Sequence, residues 1–409
     1  MTIAAPVSSV KTRRLIMFGL LYFAQGSILS YFTALNALYL LSFNLSLAQI
    51  GLFGMIALTP FVLKIFLGMI SDRFNLLGRG HRLPYIVIGL LMQAGGLLVV
   101  PFLNPATQFG LFAGLAFLIM TGMALYDTCT DGFALDTTEE ADQGRVQGIM
   151  VAGRAAGVVV VSAAIGALAQ LASWQIAFWA LALVTLLPLP LVLLTREPPR
   201  AAGRRFQWAA FRSFGRWPVI ALGLLGALYS FIVNGANQLV NPYLQSAYGI
   251  SYLVAGFYTA AWGVGVIVGG WNGGRLADRI GHRRSAQSAL FTALVAVAAL
   301  ALIDGPALAW PLVIAFGFAF GFYEAVYFAT AMRLSDLRIA ASMFAILMAI
   351  ANLGTGIGLA VSGSLADSLG YQTTFLILAA LNLLALPLVN AVFSRRAAIG
   401  LMSSNDRKE

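Results

Sequence analysis

Twelve apolar stretches, each close to the length of about 20 residues that a helix needs to cross a hydrocarbon layer, follow one another along this chain with only short polar breaks between them. Backbone polar groups in hydrocarbon must pair within their own helix, so this pattern specifies an all-α membrane protein. The approximate spans are 15–41, 48–70, 84–103, 109–135, 145–171 and 174–194, then 218–246, 251–273, 285–303, 308–332, 342–366 and 371–393. Composition agrees: the 409 residues are 60% hydrophobic and 10% charged, with a mean hydropathy of +0.87, whereas a soluble domain is about 25% charged. A soluble enzyme or a transcription factor is excluded.

A net charge of +10 would suit nucleic acid, but the placement of the charges argues for a membrane. Of the 25 Lys and Arg, all but Lys64 and Arg154 fall in the tails or in alternate breaks, and the intervening breaks have none. Positive charge stays in cytoplasmic loops, so both termini are expected in the cytoplasm, and the even number of crossings agrees. The expected location is the cytoplasmic (inner) membrane, with the bilayer as partner and no nucleic acid. The N-terminal stretch is too long for a signal-peptide core and lacks a clear cleavage site, so it is expected to be retained. The single cysteine, Cys129, allows no internal disulfide. Segment 195–217, with six Arg and a Pro-Pro pair, reads as a cytoplasmic linker between residues 1–194 and 218–409.

Those two halves resemble each other. Gly68-Met-Ile-Ser-Asp72-Arg73 matches Gly274-Arg-Leu-Ala-Asp278-Arg279, each at the cytoplasmic exit of the second span of its half. Tyr126-Asp127 matches Tyr323-Glu324, and Gly157 matches Gly354, at a common offset of 197 residues. The expected architecture is therefore twelve transmembrane helices in two pseudo-symmetric six-helix bundles around a central cavity, an arrangement suited to alternating access.

Charges at membrane depth cost about 2.5–3.5 kcal/mol each on insertion scales, and this chain has five: Lys64, Asp127, Asp131, Arg154 and Glu324. Asp127 and Asp131 are four residues apart and share a helix face. Arg154 lies about 13 Å of helix beyond Arg145, near the midplane, where it is expected to reach one of the two acids. That leaves a spare carboxylate, and Asp127, Asp131 and Glu324 are the candidates for proton coupling; a purely structural ion pair is the competing reading. Asp136, Glu139, Glu140 and Asp142 read as a solvated acidic turn.

Further polar residues line a candidate cavity: Gln25, Ser30, Tyr31 and Asn36 in the first span, Asn234, Asn237, Gln238 and Asn241 before Pro242 in the seventh, and Tyr323 beside Glu324. Of these, Gln25, Tyr31, Asn234, Gln238 and Tyr323 are candidate substrate contacts together with Arg154. The ordinary alternative is that such amides hold helices together. No G-x-x-x-x-G-K-[ST] loop occurs, so direct ATP drive is not expected. His81 and His282 lie in cytoplasmic breaks, so no metal site and no cofactor are expected.

GGRLADRIGHRR, Gly273 to Arg284, resembles the loop motif of the major facilitator superfamily, and Gly68 to Ile86 resembles it with an insertion. The resemblance implies the major facilitator fold and a gating role for Asp72, Arg73, Asp278 and Arg279, whose carboxylates would latch the cytoplasmic side against a helix end or an Arg. LYFAQG (Leu21 to Gly26), FVLKIF (Phe61 to Phe66), DTCTDGFALD (Asp127 to Asp136) and Arg154 in VAGRAAG are similar to the muropeptide permease and acetyl-coenzyme A transporter (AmpG-like) group. That likeness implies an anion-facing, substrate-binding Lys64. Leu83 to Phe102 is similar to the third helix of the PucC-type light-harvesting assembly family. Two functions are therefore expected to compete: a proton-coupled secondary transporter, monomeric, for an amphiphilic or anionic organic small molecule, and a membrane assembly factor or tetrapyrrole carrier. An enzyme is not expected, since no nucleophile, metal or cofactor constellation is visible.

Overall fold

The computed structural model of the chain describes residues 7–78, 80–138, 143–197, 216–334 and 340–393. Among these every regular element is helical. In chain order they are α1 (Val7–Ser30), a π turn (Tyr31–Leu35), α2 (Asn36–Leu41), α3 (Leu47–Val62), α4 (Lys64–Arg73), α5 (Leu83–Val99), α6 (Phe109–Thr137), α7 (Gln143–Leu171), α8 (Trp174–Leu186) and α9 (Leu189–Leu193). The second half gives α10 (Trp217–Tyr248), α11 (Tyr252–Ile280), α12 (His282–Leu300), α13 (Pro306–Leu334), α14 (Ala340–Leu369), α15 (Tyr371–Leu381) and α16 (Ala385–Val392). Ten described stretches are long and apolar enough to cross a membrane. Residues 7–41 and His282–Leu300 occupy the places of the first and ninth expected spans.

Local chemistry explains where the helices break. Pro60 lies inside α3 and has no N–H for the carbonyl one turn back. Three residues later Leu63 leaves the helical region, with ψ at 0°, and α4 restarts at Lys64. The second expected span is thus a broken pair, and its intramembrane lysine opens the second piece. Turns elsewhere are very tight. A single residue separates α11 from α12 and α14 from α15, and each is a glycine in the left-handed region, Gly281 at φ 83° and Gly370 at φ 80°, a conformation that only glycine enters without steric cost.

Small residues set how closely helices pack, as expected where lipid gives no hydrophobic drive for association. Gly26 of α1 lies against the backbone carbonyl of Arg154 on α7, and Gly157 of α7 against that of Phe23. Gly89 of α5 faces Gly122 of α6, while Gly269 of α11 lies against the Phe318 carbonyl of α13. A Cβ at any of these positions would collide with backbone.

The chain divides into two compact units, one of Met1–Leu45, Ile56–Ala202 and Leu244–Ala260, the other of Ser46–Met55, Gly203–Tyr243 and Ala261–Glu409. In the first, Tyr39 packs edge-on against Trp174 and Phe178, at ring centroid distances of 5.0 Å each. In the second, Leu222, Tyr229, Leu290, Tyr323, Leu347 and Val389 belong to one buried cluster. Each unit also holds a helix start capped by a distant carboxylate. Glu197 accepts from the amides of His81 (2.8 Å), Arg82 (2.9 Å) and Leu83 (3.1 Å) at the head of α5. Asp367 accepts from those of Leu47 (3.0 Å) and Ala48 (2.7 Å) at the head of α3. Both place negative charge where unpaired N–H groups point.

Candidate functional site

Three helices of the first unit bring polar side chains to one point at membrane depth. From α6, Asp127 and Asp131 project on one face, a turn apart. Lys64, the first residue of α4, forms an ion pair with Asp127 and stands 3.7 Å from Asp131 Oδ2. From α1, Gln25 Nε2 donates to Asp127 Oδ1 at 2.6 Å, and the Tyr22 hydroxyl donates to Asp131 Oδ1. Tyr22 and Gln25 are three residues apart, so they share a face of α1. Each acid thereby has a partner on α1 and shares one cation on α4.

The cluster corrects the expected pairing. It is Lys64, and not Arg154, that neutralises these carboxylates. The close approach of α7 to α1 is made by glycines and by the Arg154 carbonyl, while the Arg154 side chain is exposed and, among the described residues, makes no hydrogen bond or ion pair. The guanidinium remains within electrostatic reach of Lys64 and Tyr22. Lys64 in turn has its ammonium engaged by acids, so in this structure it does not stand free for an anionic ligand. Gln25 is turned onto Asp127, with its other amide atom, Oε1, buried and without a partner among the described residues.

The remaining candidates divide between glue and core. Tyr31 is 4% exposed and stacks edge-on against Phe178 at 5.1 Å, inside the aromatic core. Asn234 of α10 donates to the Ser230 carbonyl and to Thr355 Oγ1 of α14 at 3.2 Å. Gln238 donates to the Leu359 carbonyl and, at 2.7 Å, to Ser362 Oγ, both on α14. These two amides tie α10 to α14. Tyr323 is buried and lies flat on Tyr229, with ring centroids 4.2 Å apart and planes 7° apart. Tyr229 donates to the Phe320 carbonyl at 2.9 Å. Glu324 is half-buried beside this stack, within electrostatic range of Tyr229.

Of the expected gating residues, Arg73 and Arg279 are exposed in the last turns of α4 and α11. The side chains of Asp72 and Asp278 lie outside the described residues, as do residues 139–142 and most of the 195–217 linker. Asp136 is no free member of a solvated turn. It sits in the last turn of α6 and accepts from Arg82 Nε at 3.2 Å, while Arg82 also donates to Ser71 Oγ at 2.8 Å. The Arg82 guanidinium is packed against Gly132. Neither this Arg82 hub nor the Tyr22 contact was visible in the sequence. Arg82 looks like any cytoplasmic loop cation, and Tyr22 like any membrane aromatic; the four-residue spacing of the acids was the signal that a partner was needed.

The profile of the Major Facilitator Superfamily matches residues 15–342. The chain belongs to the Major Facilitator Superfamily. Relatives of this member include an uncharacterised protein in the puhA-bchM intergenic region of Rhodobacter capsulatus, 26% identical over 272 residues, covering 60% of this chain and 56% of that protein. The sialic acid transporter NanX of Escherichia coli (strain K12) is 24% identical over 250 residues, covering 58% of each chain. The chain thus spans under three fifths of the length of these two curated relatives. The anhydromuropeptide permease of the same strain is 25% identical over 380 residues, covering 87% of this chain and 75% of the permease. Among solved structures, the fold matches a bacterial homologue of the human lysosomal transporter Spinster (TM-score 0.75, 18% identity, covering 93% of this chain and 96% of that one). It also matches a mutant form of the nucleoside transporter NupG (TM-score 0.78, 15% identity, covering 94% of this chain and 100% of that one). At these identities the structural likeness shows the fold alone.

Proposed function

We propose that this superfamily member is a proton-coupled secondary transporter that moves an anionic or amphiphilic organic solute across the cytoplasmic membrane, as a monomer, by alternating access between the halves 1–194 and 218–409. The observation that carries the reading is the charge count of the α1–α4–α6 cluster. Two carboxylates share one ammonium, so one acid is left whose charge is costly at membrane depth, and a transmembrane proton gradient can act on it. Arg154, exposed and unpaired among the described residues, is the cation left for a carboxylate or phosphate on the solute. The amides at Asn234 and Gln238 and the ring of Tyr323 shape and brace the second half in this reading, and the exposed Arg73 and Arg279 with Asp72 and Asp278 act on the conformational balance.

The test is uptake into proteoliposomes driven by an imposed pH gradient, with anhydromuropeptides, sialic acids, coenzyme A esters and tetrapyrroles as the panel, preselected by thermal shift. Accumulation that collapses with the gradient supports the reading; uptake indifferent to the gradient for every ligand that shifts the melting temperature overturns it. Orientation is checked separately. Gln207→Cys in intact cells should resist an impermeant maleimide, and labelling would contradict cytoplasmic termini and linker.

A second reading, a membrane assembly factor or tetrapyrrole carrier, draws on the Rhodobacter capsulatus match and the Leu83–Phe102 resemblance. Co-purification of the chain with pigment or a pigment protein, without any ligand-driven flux, would favour it.

A further inference from the structure

The two acids of the cluster are held differently, and we infer that Asp131 is the carboxyl that takes and releases the proton, that Asp127 is the fixed counter-ion of Lys64, and that Tyr22 is the positioning residue of the exchange. The inference rests on the transporter reading above and sharpens it from three candidate acids to one.

Asp127 has both oxygens committed. Oδ1 accepts from Gln25 and Oδ2 from Lys64, and the side chain is 5% exposed. A proton arriving there would have to displace the ammonium and leave Lys64 without its hydrogen-bonded counter-ion, a strongly unfavourable change in the interior. Asp131 is arranged otherwise. Its Oδ1 takes the Tyr22 hydroxyl, but its Oδ2 is 3.7 Å from Lys64, beyond hydrogen-bond range, and 39% of the side-chain surface is open. Among the described residues Oδ2 therefore holds no hydrogen bond of ordinary length, so a proton can join it and leave again without breaking one. Tyr22 tolerates both states, since its hydroxyl donates to Oδ1 of the carboxylate and goes on donating to the same oxygen when it is the carbonyl of the acid.

The groups facing Asp131 from each neighbouring helix set the electrostatic outcome. They are Tyr22 on α1, Lys64 on α4 and Asp127 on its own helix, with Gln25 on α1 bonded to Asp127 and Arg154 on α7 within electrostatic reach of Tyr22 and Lys64. With Asp131 charged, one negative charge of the pair is left unmatched by Lys64 and opposes a second anion at Arg154. With Asp131 protonated, Lys64 and Asp127 cancel, and Arg154 is the uncompensated cation. Proton binding at Asp131 and anion binding at Arg154 therefore favour each other, and by linkage each raises the affinity for the other by the same factor. That is the sign required for cotransport of a proton with an anion.

The experiment needs no substrate. Infrared difference titration of the full-length protein in liposomes should show a protonated-carboxyl band that grows as pH falls. Asp131→Asn should remove it, Asp131→Glu should restore it, and Glu324→Gln should leave it in place. Tyr22→Phe should keep the band but change the proton affinity about tenfold, the worth of one hydrogen bond to a charged group. Asp127→Asn should keep the band while displacing its midpoint, because Asp131 then becomes the sole partner of Lys64. A band that survives Asp131→Asn, or disappears in Glu324→Gln, overturns the assignment. An unmoved midpoint in Tyr22→Phe overturns the role of Tyr22. The two readings fail separately: an Asp131 that titrates in a protein without gradient-driven uptake sinks the transporter reading alone, whereas gradient-driven uptake that persists in Asp131→Asn sinks this one.

Discussion

Asp127 and Glu324 occupy equivalent places in the two halves, 197 residues apart and each preceded by a tyrosine, yet their surroundings have diverged. Around Asp127 the helices supply a lysine, a second acid, an amide and a phenol, and the region is a hydrogen-bonded ion cluster. Beside Glu324 lie stacked rings, Tyr229 on Tyr323 with Tyr327 nearby, and these three tyrosines belong to a buried apolar cluster. One duplicated scaffold thus carries an electrostatic device on one side and an aromatic brace on the other. The difference teaches that matched positions in the two halves can carry different chemistry. Charges at membrane depth need partners, and in the first region α1, α4 and α6 supply them.

The comparison predicts that the first region is most sensitive to charge and the second to volume. The largest effect is expected from Lys64→Met, which strands two acids at membrane depth; loss of the cation should cost about 3–5 kcal/mol, read as a lowered melting temperature. The double variant Lys64→Met with Asp127→Asn should recover much of that loss, and strict additivity would mean that the pair is not coupled. Next, Tyr229→Ala in the second region should cost about 3 kcal/mol through the lost ring and the cavity it leaves, while Tyr229→Phe, which keeps the stack and deletes only the bond to the Phe320 carbonyl, should cost about 1 kcal/mol. If the two substitutions were equally damaging, the brace would depend on the hydroxyl and the contrast between regions would weaken.

Smaller effects test the scaffold common to both. Gly26→Ala forces a methyl into the α7 backbone at Arg154 and should destabilise by about 1–3 kcal/mol, whereas Gly274→Ala, with open space around it, should be nearly silent. Equal behaviour of the two would argue against close helix packing as the role of Gly26. The smallest shift is expected at the capped helix heads. Asp367→Asn and Glu197→Gln each weaken a carboxylate-to-amide cap and should cost about 1 kcal/mol or less, measured by denaturation of the reconstituted protein.

Much of this molecule can be read residue by residue. The apolar stretches announce the helices, since nothing but a helix satisfies a backbone in lipid over such lengths. The spacing of Asp127 and Asp131 announces a shared face. Other features depended on which surfaces meet. Asn234 and Gln238 look like cavity residues when only their polarity is considered, but the approach of α14 turns both into ties between helices. Asp136 and Glu197 look like solvated loop acids, and only the folded chain brings them to Arg82 and to the head of α5.

The choice of cation shows the division most clearly. Sequence by itself determined that this chain is a helical membrane protein and that two acids on one helix face require compensation, because both follow from local rules of length, hydropathy and periodicity. It could not determine whether Lys64 or Arg154 supplies that compensation. Arg154 is nearer in sequence, 27 residues from Asp127 against 63 for Lys64, but helix packing, not chain separation, decides which side chain reaches a buried charge. The break at Leu63 sets Lys64 at the head of α4, where it pairs with α6, and the glycine contacts of α7 with α1 accompany an exposed Arg154 side chain. The structure therefore gives the acids to Lys64 and leaves the Arg154 side chain exposed.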